Sequence, residues 1–311
     1  MENSKINYEE FKKLLEERLK DYFPQEYQAE ISLFDKINRK VEGLTFKGEK
    51  FKDYSPIIYV EDIYKAYEET NDLDNILKDM KDMIMYELEH KPNIDSIMNK
   101  EFVKQNVIFQ LINTEQNKDK LEQLPHREFM DLSIVYKLII QINDNDIEDG
   151  FIYNYLAEEL GFSEQDLFEL AKKNTTRIFP LVVQDLGELI GIIPQEMYVI
   201  TNTVSRNGSY SMLYDNNLSL IAKELNSDLY IIPSSIHEVI AVKANGRADL
   251  VTEMINEINS NSKLMQKEEI LSNQTYFYNK MFHSISTTKG DNIITETLIN
   301  SPTKKKKRII R

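Results

Sequence analysis

Residues 104–144 read KQNVIFQLINTEQNKDKLEQLPHREFMDLSIVYKLIIQIND, and this block gives the clearest indication of how the chain folds. The apolar run VIFQLI is followed by a polar segment with the composition of a short helix. A turn at Pro125 then leads into a second run, 132–142, which is rich in β-branched residues. The block therefore predicts a strand, a short helix, a turn and a long strand.

Outward from this block, helices and strands follow each other in no regular order. Apolar residues recur every three or four positions in the predicted helices 6–23, 73–88 and 248–260. Ser163, with Asp166 three positions later, predicts the start of another helix, which we expect to end at Asn174. Asn207-Gly208 between two β-like runs predicts a β-hairpin. Without strand–helix alternation or Gly-rich turns, the sequence predicts an α+β fold with a mixed, mainly antiparallel sheet and packed helices.

The polar loop NDNDIEDG, residues 143–150, favours a boundary between two subdomains. We predict an N-terminal α+β part, 1–148, and a C-terminal α+β part, 149–286, with a single continuous core as the alternative. From about Thr287 the chain loses aromatic residues and gains Thr, Asn and Lys. That composition predicts a flexible basic tail over 287–311.

Composition and charge exclude several classes of protein. The 311 residues contain no cysteine, which excludes disulfides and thiolate chemistry and fits a cytoplasmic location. The 132–142 run is too short to cross a bilayer and contains Lys137, and no secretory signal precedes it, so no membrane contact is expected. Six of the last eight residues are basic, which leaves 32 of the 38 Lys and Arg residues against 52 Asp and Glu in the rest of the chain, so the folded body should repel nucleic acid. The residues of the tail that could touch nucleic acid non-specifically are Lys304, Lys305, Lys306, Lys307, Arg308 and Arg311.

The stretch PSSIHEVI, residues 233–240, combines two serines, a histidine and a glutamate. HEVIA would need a second histidine at Ala241 to match the helical zinc motif, so a metal site is not expected. Ser235 and His237, with His126 and an acid, supply the residue types of nucleophilic hydrolysis. Neighbours two apart on a strand seldom reach triad geometry, and the alternative is that the serines bind turn backbone while His237 bonds to a neighbouring strand.

Two polar loops contain residue types that could bind a ligand. LPHREF, residues 124–129, places His126 and Arg127 in a turn that could bind an anion or a carboxylate, with a surface ion pair of Arg127 as the alternative. In NDNDIEDG, a calcium loop that began at Asp144 would need glycine where Asp149 stands. A phosphate-binding glycine loop is also absent, so the sequence predicts no cofactor.

Four stretches together resemble an uncharacterised bacterial family: VIFQLINTEQNKDKLEQLPHREFMDLSIVY, AKKNTTRIFP, MYVITNTVSRNGS and DLYIIPSSIHEVI. The family occurs in anaerobic Gram-positive bacteria and is catalogued only as a domain of unknown function. The resemblance runs from about Tyr8 to Tyr278 and implies no activity. It does imply that any shared function lies at motif positions, which include the candidate binding residues His126, Arg177, Asn202, Asn207, Ser234, Ser235, His237 and Glu238.

Two hypotheses from different classes follow. The first is a cytoplasmic binding or regulatory protein with a protein partner, such as an accessory protein of a mobile genetic element. The alternative is a hydrolase that uses His126 or His237 with Ser235 and an acidic residue. A single pocket lined by His126, Arg177, Ser235 and His237 would favour the hydrolase or a ligand-binding protein.

Overall fold

The chain divides into two compact units, Met1–Asp95 and Ser96–Arg311. A computed structural model describes residues 6–52, 54–90, 97–143, 147–189, 196–288 and 295–299. The division differs from the predicted boundary after residue 148. The reason is that the strands Leu132–Ile142 and Ile147–Phe151 on either side of the polar loop are paired with each other in an antiparallel ladder.

In its described residues, the first unit is a three-stranded antiparallel sheet with packed helices. Its elements are α1 (Tyr8–Tyr22), β1 (Ala29–Lys36), β2 (Arg39–Phe46), β3 (Ile58–Tyr59), α2 (Val60–Thr70) and α3 (Leu73–Glu89). Helix α1 buries Phe11, Leu15 and Leu19, which recur every four residues along one face. The helices predicted over 6–23 and 73–88 are therefore confirmed as α1 and α3.

The second unit contains the candidate residues of the sequence analysis. Its described strands are β4 (Val107–Asn113), β5 (His126–Phe129), β6 (Leu132–Ile142), β7 (Ile147–Phe151), β8 (Leu181–Asp185), β9 (Met197–Asn202), β10 (Leu229–Ile232), β11 (Val239–Lys243), β12 (Tyr276–Asn279), β13 (Ser284–Thr287) and β14 (Thr295–Thr297). Its described helices are α4 (Lys100–Asn106), α5 (Lys118–Leu121), α6 (Asn154–Glu159), α7 (Glu164–Ile178), α8 (Leu186–Leu189), α9 (Asp215–Glu224) and α10 (Ala248–Ser260).

These strands form two antiparallel sheets. The order of one is β4-β6-β5, with β7 also paired to β6, and the order of the other is β14-β13-β12-β10-β11-β9-β8. Buried side chains of both sheets and of the helices α7 and α9 belong to one hydrophobic cluster. The predicted α+β class with mainly antiparallel pairing is therefore confirmed.

The seven-stranded sheet has a buried face and a partly open face. Ile200, Ile231 and Val239 are fully buried, and the strand registers bring them to the same face. Val199 and Ile240 lie on the opposite face and are only half-buried. Helix α10 packs against β10 on the open face, so the β8, β9 and β11 side of that face is less covered.

The start of α7 agrees with its predicted capping residues. Ser163 accepts a hydrogen bond from the Asp166 N–H at 3.2 Å, and the Asp166 carboxylate accepts one from the Ser163 N–H at 2.9 Å. The helix extends past Asn174 to Ile178. The Asn174 side chain donates to the carbonyl of Lys104 at 2.9 Å instead of ending the helix.

The hairpin predicted at Asn207-Gly208 is wrong. Asn207 has the left-handed conformation that such turns require, with φ of 53°. The residues that follow, Gly208–Leu213, form a 3-10 helix in which all six are buried. The N–H of Gly208 donates to the carbonyl of His237 at 2.9 Å. Tertiary burial and this distant bond replace the ladder that a hairpin would have made.

The boundary of the predicted flexible tail, 287–311, also needs correction. Strand β14 pairs with β13, and Leu298 is only 6% exposed. The N–H of Ile299 donates to the carbonyl of Leu213 at 2.8 Å, so residues 295–299 are fixed by the second unit. A segment this short is held by backbone bonds and one buried leucine, which composition does not reveal. The basic residues of the tail lie outside the described residues: Lys304, Lys305, Lys306, Lys307, Arg308 and Arg311.

Candidate functional site

The segment 233–238 connects β10 to β11 and carries most of the candidate residues. No strand forms in this segment before Val239, where β11 begins. The N–H of Ile236 instead donates to the carbonyl of Glu269 at 2.8 Å, and Ser235 forms an isolated bridge with Ile270. A proline at the end of β10 removes a ladder donor, and the chain turns away from the sheet there.

His237 is oriented from both sides of its ring. Its Nδ1 accepts a hydrogen bond from the N–H of Asn207 at 3.2 Å. The neutral ring therefore carries its proton on Nε2, which lies 3.6 Å from the carboxylate of Glu269. The backbone carbonyl of His237 accepts bonds from Gly208 N–H at 2.9 Å and from the Thr201 hydroxyl at 2.8 Å. His237 thus fixes the contact between two loops.

The serines of this segment contact backbone groups. The Ser235 hydroxyl is buried, and its oxygen accepts a bond from the N–H of His237 at 2.9 Å. The carbonyl of Ser234 accepts a bond from the N–H of Leu271 at 3.0 Å. Glu238 is half-buried and lies directly before β11. The Ser235 contact matches the interpretation in which a serine hydroxyl satisfies a turn backbone group, whereas Ser234 makes its contact through its own backbone carbonyl.

His126 and the two arginines have other partners. His126 is exposed at the start of β5, and its Nδ1 lies 2.9 Å from the carbonyl of Leu124. Arg127 donates to Glu164 at 2.8 Å and stacks on the ring of Phe168 at 3.8 Å. Arg177 donates to the carbonyl of Gln105 and to Asn174, which fastens α7 to the end of α4. Among the described residues, none of these partners is shared with His237.

Asn202 and Asn207 shape the loop that connects β9 to the 3-10 helix. The Asn202 amide donates to the carbonyl of Arg206 at 2.9 Å, and its oxygen accepts from the N–H of Val204 at 3.1 Å. The side-chain oxygen of Asn207 accepts from the amide of Gln110, on β4, at 3.4 Å. The two asparagines therefore fix the position of Arg206 against the four-stranded sheet.

Two buried lysines, Lys137 on β6 of that sheet and Lys120 on the short helix α5, lie around the ring of Phe151. The ammonium groups of Lys120 and Lys137 are 4.6 and 5.2 Å from the ring centroid, and the residues are only 6% and 8% exposed. Lys137 also forms an ion pair with Asp149, whose side chain is 10% exposed. We call these four residues, with Arg206, the cationic site. Lysine is seldom buried to this degree, so the arrangement is costly.

The environment of Lys137 shifts its protonation. Burial lowers the pKa of Lys137 below its ordinary value, and the positive charge of Arg206 acts in the same direction. The carboxylate of Asp149 opposes both effects. Groups whose pKa is shifted by burial and by a specific charge partner are concentrated at functional sites.

Gln110 connects the cationic site to His237. Gln110 and Lys137 lie on the same face of neighbouring strands, since Gln110 is opposite Val135 and Ile108 is opposite Lys137. The side-chain oxygen of Gln110 is buried and has no hydrogen-bond partner within the described part of the chain. His126 is also opposite Val135 and shares this face. Three candidate residues, His126, Asn207 and His237, are therefore neighbours of the cationic site or connected to it.

The cationic site was not predicted from the sequence, in which Lys137 was interpreted only as an interruption of an apolar run. The signal was present, since a single lysine among the apolar residues of a long strand must face either solvent or a polar interior. The sequence around Lys120 and Phe151 did not indicate that these two residues lie together. Their proximity depends on the β6–β7 pairing and on the position of α5.

A second polar group was also missed. Asp215 is buried at the start of α9 and accepts bonds from the Tyr278 hydroxyl at 2.6 Å and from Nδ1 of His283 at 2.8 Å. Because a carboxylate only accepts, Nδ1 carries the proton, and the neutral ring of His283 has its free lone pair on Nε2. His283 is exposed and has a positive φ of 51°. It lies in the turn between β12 and β13.

Over the described ranges, no group of three or more His, Asp or Glu side chains could hold a metal ion. No helix within those ranges has the length and apolar character to cross a membrane. The candidate site therefore consists of the cationic site and the His237 loop connected to it by Gln110.

We expect His237 to contribute to stability through the bond from Asn207. His237→Leu should lower the free energy of unfolding by about 1–3 kcal/mol, because the partly buried N–H of Asn207 loses its acceptor. His237→Gln should retain much of the stability, since an amide oxygen can accept that bond. Urea unfolding of both variants measures the difference. Equal stability of the two variants would contradict the role of this bond.

Comparison with known proteins gives a family but no relative of known activity. No curated protein and no solved structure matches the chain. The sequence model of a family of unknown function, DUF5688, matches residues 8–280. That range includes nearly all of the elements described above and covers the resemblance predicted from the motifs. The chain therefore belongs to the DUF5688 family, a family of unknown function.

Proposed function

We propose that the protein is a cytoplasmic binding protein that acts through recognition rather than catalysis, and that its cationic site receives an oxyanion of its partner. The observation that carries the proposal is the pair of buried lysines, Lys120 and Lys137, around Phe151. The chain has a net charge of −14, so a cluster of buried cations is unexpected from its composition. A phosphate or a carboxylate has the chemistry to bind such a pair of ammonium groups.

The burial of a charged group has a large energetic cost. Removing an ammonium group from water costs several kcal/mol, and a nearby carboxylate compensates only with good geometry. Asp149 compensates Lys137, but the lowered pKa of Lys137 indicates that burial exceeds this compensation. An oxyanion beside Lys120, Lys137 and Arg206 would stabilise all three cations. Its attraction would also be stronger there than in water.

The buried oxygen of Gln110 adds a second element of recognition. It is an acceptor without a partner among the residues that the structure describes, and it faces the same side of the sheet as Lys137. A hydrogen-bond donor on the ligand would satisfy it. The loop from Asn202 to Asn207 supports both groups, because it bonds to Gln110 and carries Arg206. This accounts for the family motif at these positions without a catalytic role.

The hydrolase alternative has less support. The Ser235 oxygen accepts a bond from backbone, and Nδ1 of His237 accepts the bond from Asn207. His126 has its own backbone contact. Nε2 of His237 lies 3.6 Å from the carboxylate of Glu269, but among the contacts of the described residues none joins the Ser235 hydroxyl to a ring nitrogen of His237 or His126, as a triad requires.

The proposal is tested by thermal unfolding and calorimetric titration of the full chain with pyrophosphate at constant ionic strength. We expect pyrophosphate to raise the melting temperature of the wild type, since a ligand at a hundred times its Kd adds about 2.7 kcal/mol of stability. Lys120→Met should lose most of this effect. Lys118→Met is the matched control, because Lys118 lies on the same short helix with its side chain 62% exposed.

The outcome has two parts. Stabilisation of the wild type and the Lys118 variant, but not of the Lys120 variant, supports an oxyanion site. Equal stabilisation of all three would place the anion elsewhere on the surface and contradict the proposal. Absence of any effect of pyrophosphate, and of citrate as a carboxylate probe, would also contradict it.

A further inference from the structure

One of the four histidines is hydrogen-bonded to a buried carboxylate. The Nδ1–H of His283 donates to Asp215 at 2.8 Å, and the Asp215 side chain is only 8% exposed. The Tyr278 hydroxyl donates to the other oxygen of this carboxylate at 2.6 Å. The His283 side chain is 56% exposed, so its ring extends from a buried anion to the surface. We call Asp215, Tyr278 and His283 the histidine cluster.

The carboxylate of the histidine cluster carries a charge that has no permanent cation beside it. In the described part of the chain, neither a lysine nor an arginine forms an ion pair with Asp215. Burial and the Asp215 carboxylate raise the pKa of Tyr278, so this hydroxyl keeps its proton and remains a neutral donor. A buried carboxylate is costly unless it is paired. A positive charge that develops on the ring of His283 would therefore be attracted by Asp215.

The backbone holds the ring of His283 in this orientation. His283 has a left-handed φ of 51°, which is uncommon for residues other than glycine. The turn around it is ordered, since the N–H groups of Met281 and Phe282 both donate to the side chain of Asn279, at 2.9 and 3.0 Å. Because Nδ1 is bound to Asp215, Nε2 lies on the far side of the ring, and it has no hydrogen-bond partner within the described ranges.

Two other histidines have the same tautomer but no carboxylate partner. Nδ1 of His90 and Nδ1 of His126 lie 2.8 and 2.9 Å, respectively, from a backbone carbonyl oxygen. A carbonyl only accepts, so Nδ1 carries the proton in both neutral rings, and both residues are exposed. His237 differs, because its Nδ1 accepts a bond. Of the four histidines, His283 is therefore the one in which an exposed Nε2 lies opposite a bond to a carboxylate.

We propose that Nε2 of His283 is a nucleophile that accepts a phosphoryl group from a donor of the phosphoramidate or acyl phosphate class. The lone pair of Nε2 forms the N–P bond while the bond from phosphorus to the leaving group breaks. The leaving group takes the electron pair of that bond and departs as ammonia, from a donor whose nitrogen is protonated, or as a carboxylate. The Nδ1 proton stays in the bond to Asp215. The ring becomes positively charged, and Asp215 stabilises that charge, as the aspartate of a catalytic triad stabilises its imidazolium.

A phosphoryl group suits this position better than an acyl group. Phosphoryl transfer depends mainly on positioning and on electrostatic stabilisation. Acyl transfer also needs hydrogen-bond donors for an oxyanion, and the N–H groups of Met281 and Phe282 are already bonded to a side chain. The same turn carries Lys280, an exposed cation that attracts phosphate. This inference is independent of the cationic site.

Phosphorylation of the full chain with potassium phosphoramidate at neutral pH tests the proposal. Mass spectrometry of the peptides gives the rate at each histidine, so the wild type contains its own controls. We expect His283 to react about tenfold faster than His90 and His126, because a charge-assisted hydrogen bond that strengthens in the transition state lowers the barrier. Equal rates at these three histidines would overturn the proposal.

Two substitutions separate activation of the nucleophile from a structural role. Asp215→Asn keeps the shape of the side chain without its charge, and it should lower the rate at His283 to that at His126. His283→Asn should abolish the rapid reaction but preserve the melting temperature, because asparagine adopts the left-handed conformation and its amide can donate to Asp215. A rate at His283 that is unchanged by Asp215→Asn would also overturn the proposal. If the Asp215 variant does not fold, the comparison within the wild type decides.

Discussion

Gly208→Val should lower the free energy of unfolding by about 3 kcal/mol or more, at the upper end of what overpacking costs. A Cβ atom at this position would lie 2.6 Å from the carbonyl oxygen of His237 and 2.5 Å from Oγ1 of Thr201. The carbonyl cannot withdraw without breaking the bonds that it accepts from Gly208 and Thr201. The two loops that meet at this bond, 203–207 and 233–238, would therefore move.

Gly150→Ala is the matched control for this prediction. Gly150 lies on β7, and a Cβ there would meet nothing within 4 Å. We expect its free energy of unfolding to stay within about 0.5 kcal/mol of the wild type. Urea unfolding, monitored by circular dichroism, measures both variants. Similar values for the two would mean that the close approach of Gly208 to His237 is absent in solution.

The second large effect is expected at the buried pair in the cationic site. Lys137→Met should lower the free energy of unfolding by about 3–5 kcal/mol, because it leaves Asp149 buried without its partner. The double variant Lys137→Met with Asp149→Leu should recover most of this loss, since a buried ion pair can often be replaced by apolar side chains at little cost. Urea unfolding of the single and double variants tests this. A double variant as unstable as the single one would contradict it.

The pH dependence follows from the lowered pKa of Lys137. As the pH rises through that pKa towards 10.5, the folded protein loses a proton that the unfolded chain retains. The free energy of unfolding of the wild type should therefore increase in this range relative to the double variant. A decrease in this range would mean that the Asp149 carboxylate raises the pKa of Lys137 more than burial lowers it.

The sequence predicted those parts of the fold that depend on local patterns. The spacing of Phe11, Leu15 and Leu19 predicted α1, and Ser163 with Asp166 predicted the start of α7. The absence of regular alternation predicted an antiparallel α+β protein, as found. The motifs also indicated the family. Each of these signals lies within a short stretch of chain, where helical or strand periodicity is imposed by the backbone itself.

The errors arose where distant residues determine the local structure. Asn207-Gly208 is a sequence typical of a hairpin turn. Burial of residues 208–213 and the bond from the N–H of Gly208 to His237 instead produce a 3-10 helix. The acidic loop before Gly150 has the composition of a linker, but it lies between two paired strands. Residues 295–299 have the composition of a tail, but β13 and Leu213 fix them.

The candidate site shows the same division. The sequence located Asn207 and His237 through their motifs and residue types, because polar groups in such stretches need partners. It could not show that Asn207 bonds to Gln110, which is 97 residues away, or that Lys120 and Lys137 share the ring of Phe151. Sequence periodicity determined which residues form strands and helices. Which of these side chains meet was determined only by the tertiary structure. The reason is that the free energy of burial depends on contacts between residues that are far apart in the chain.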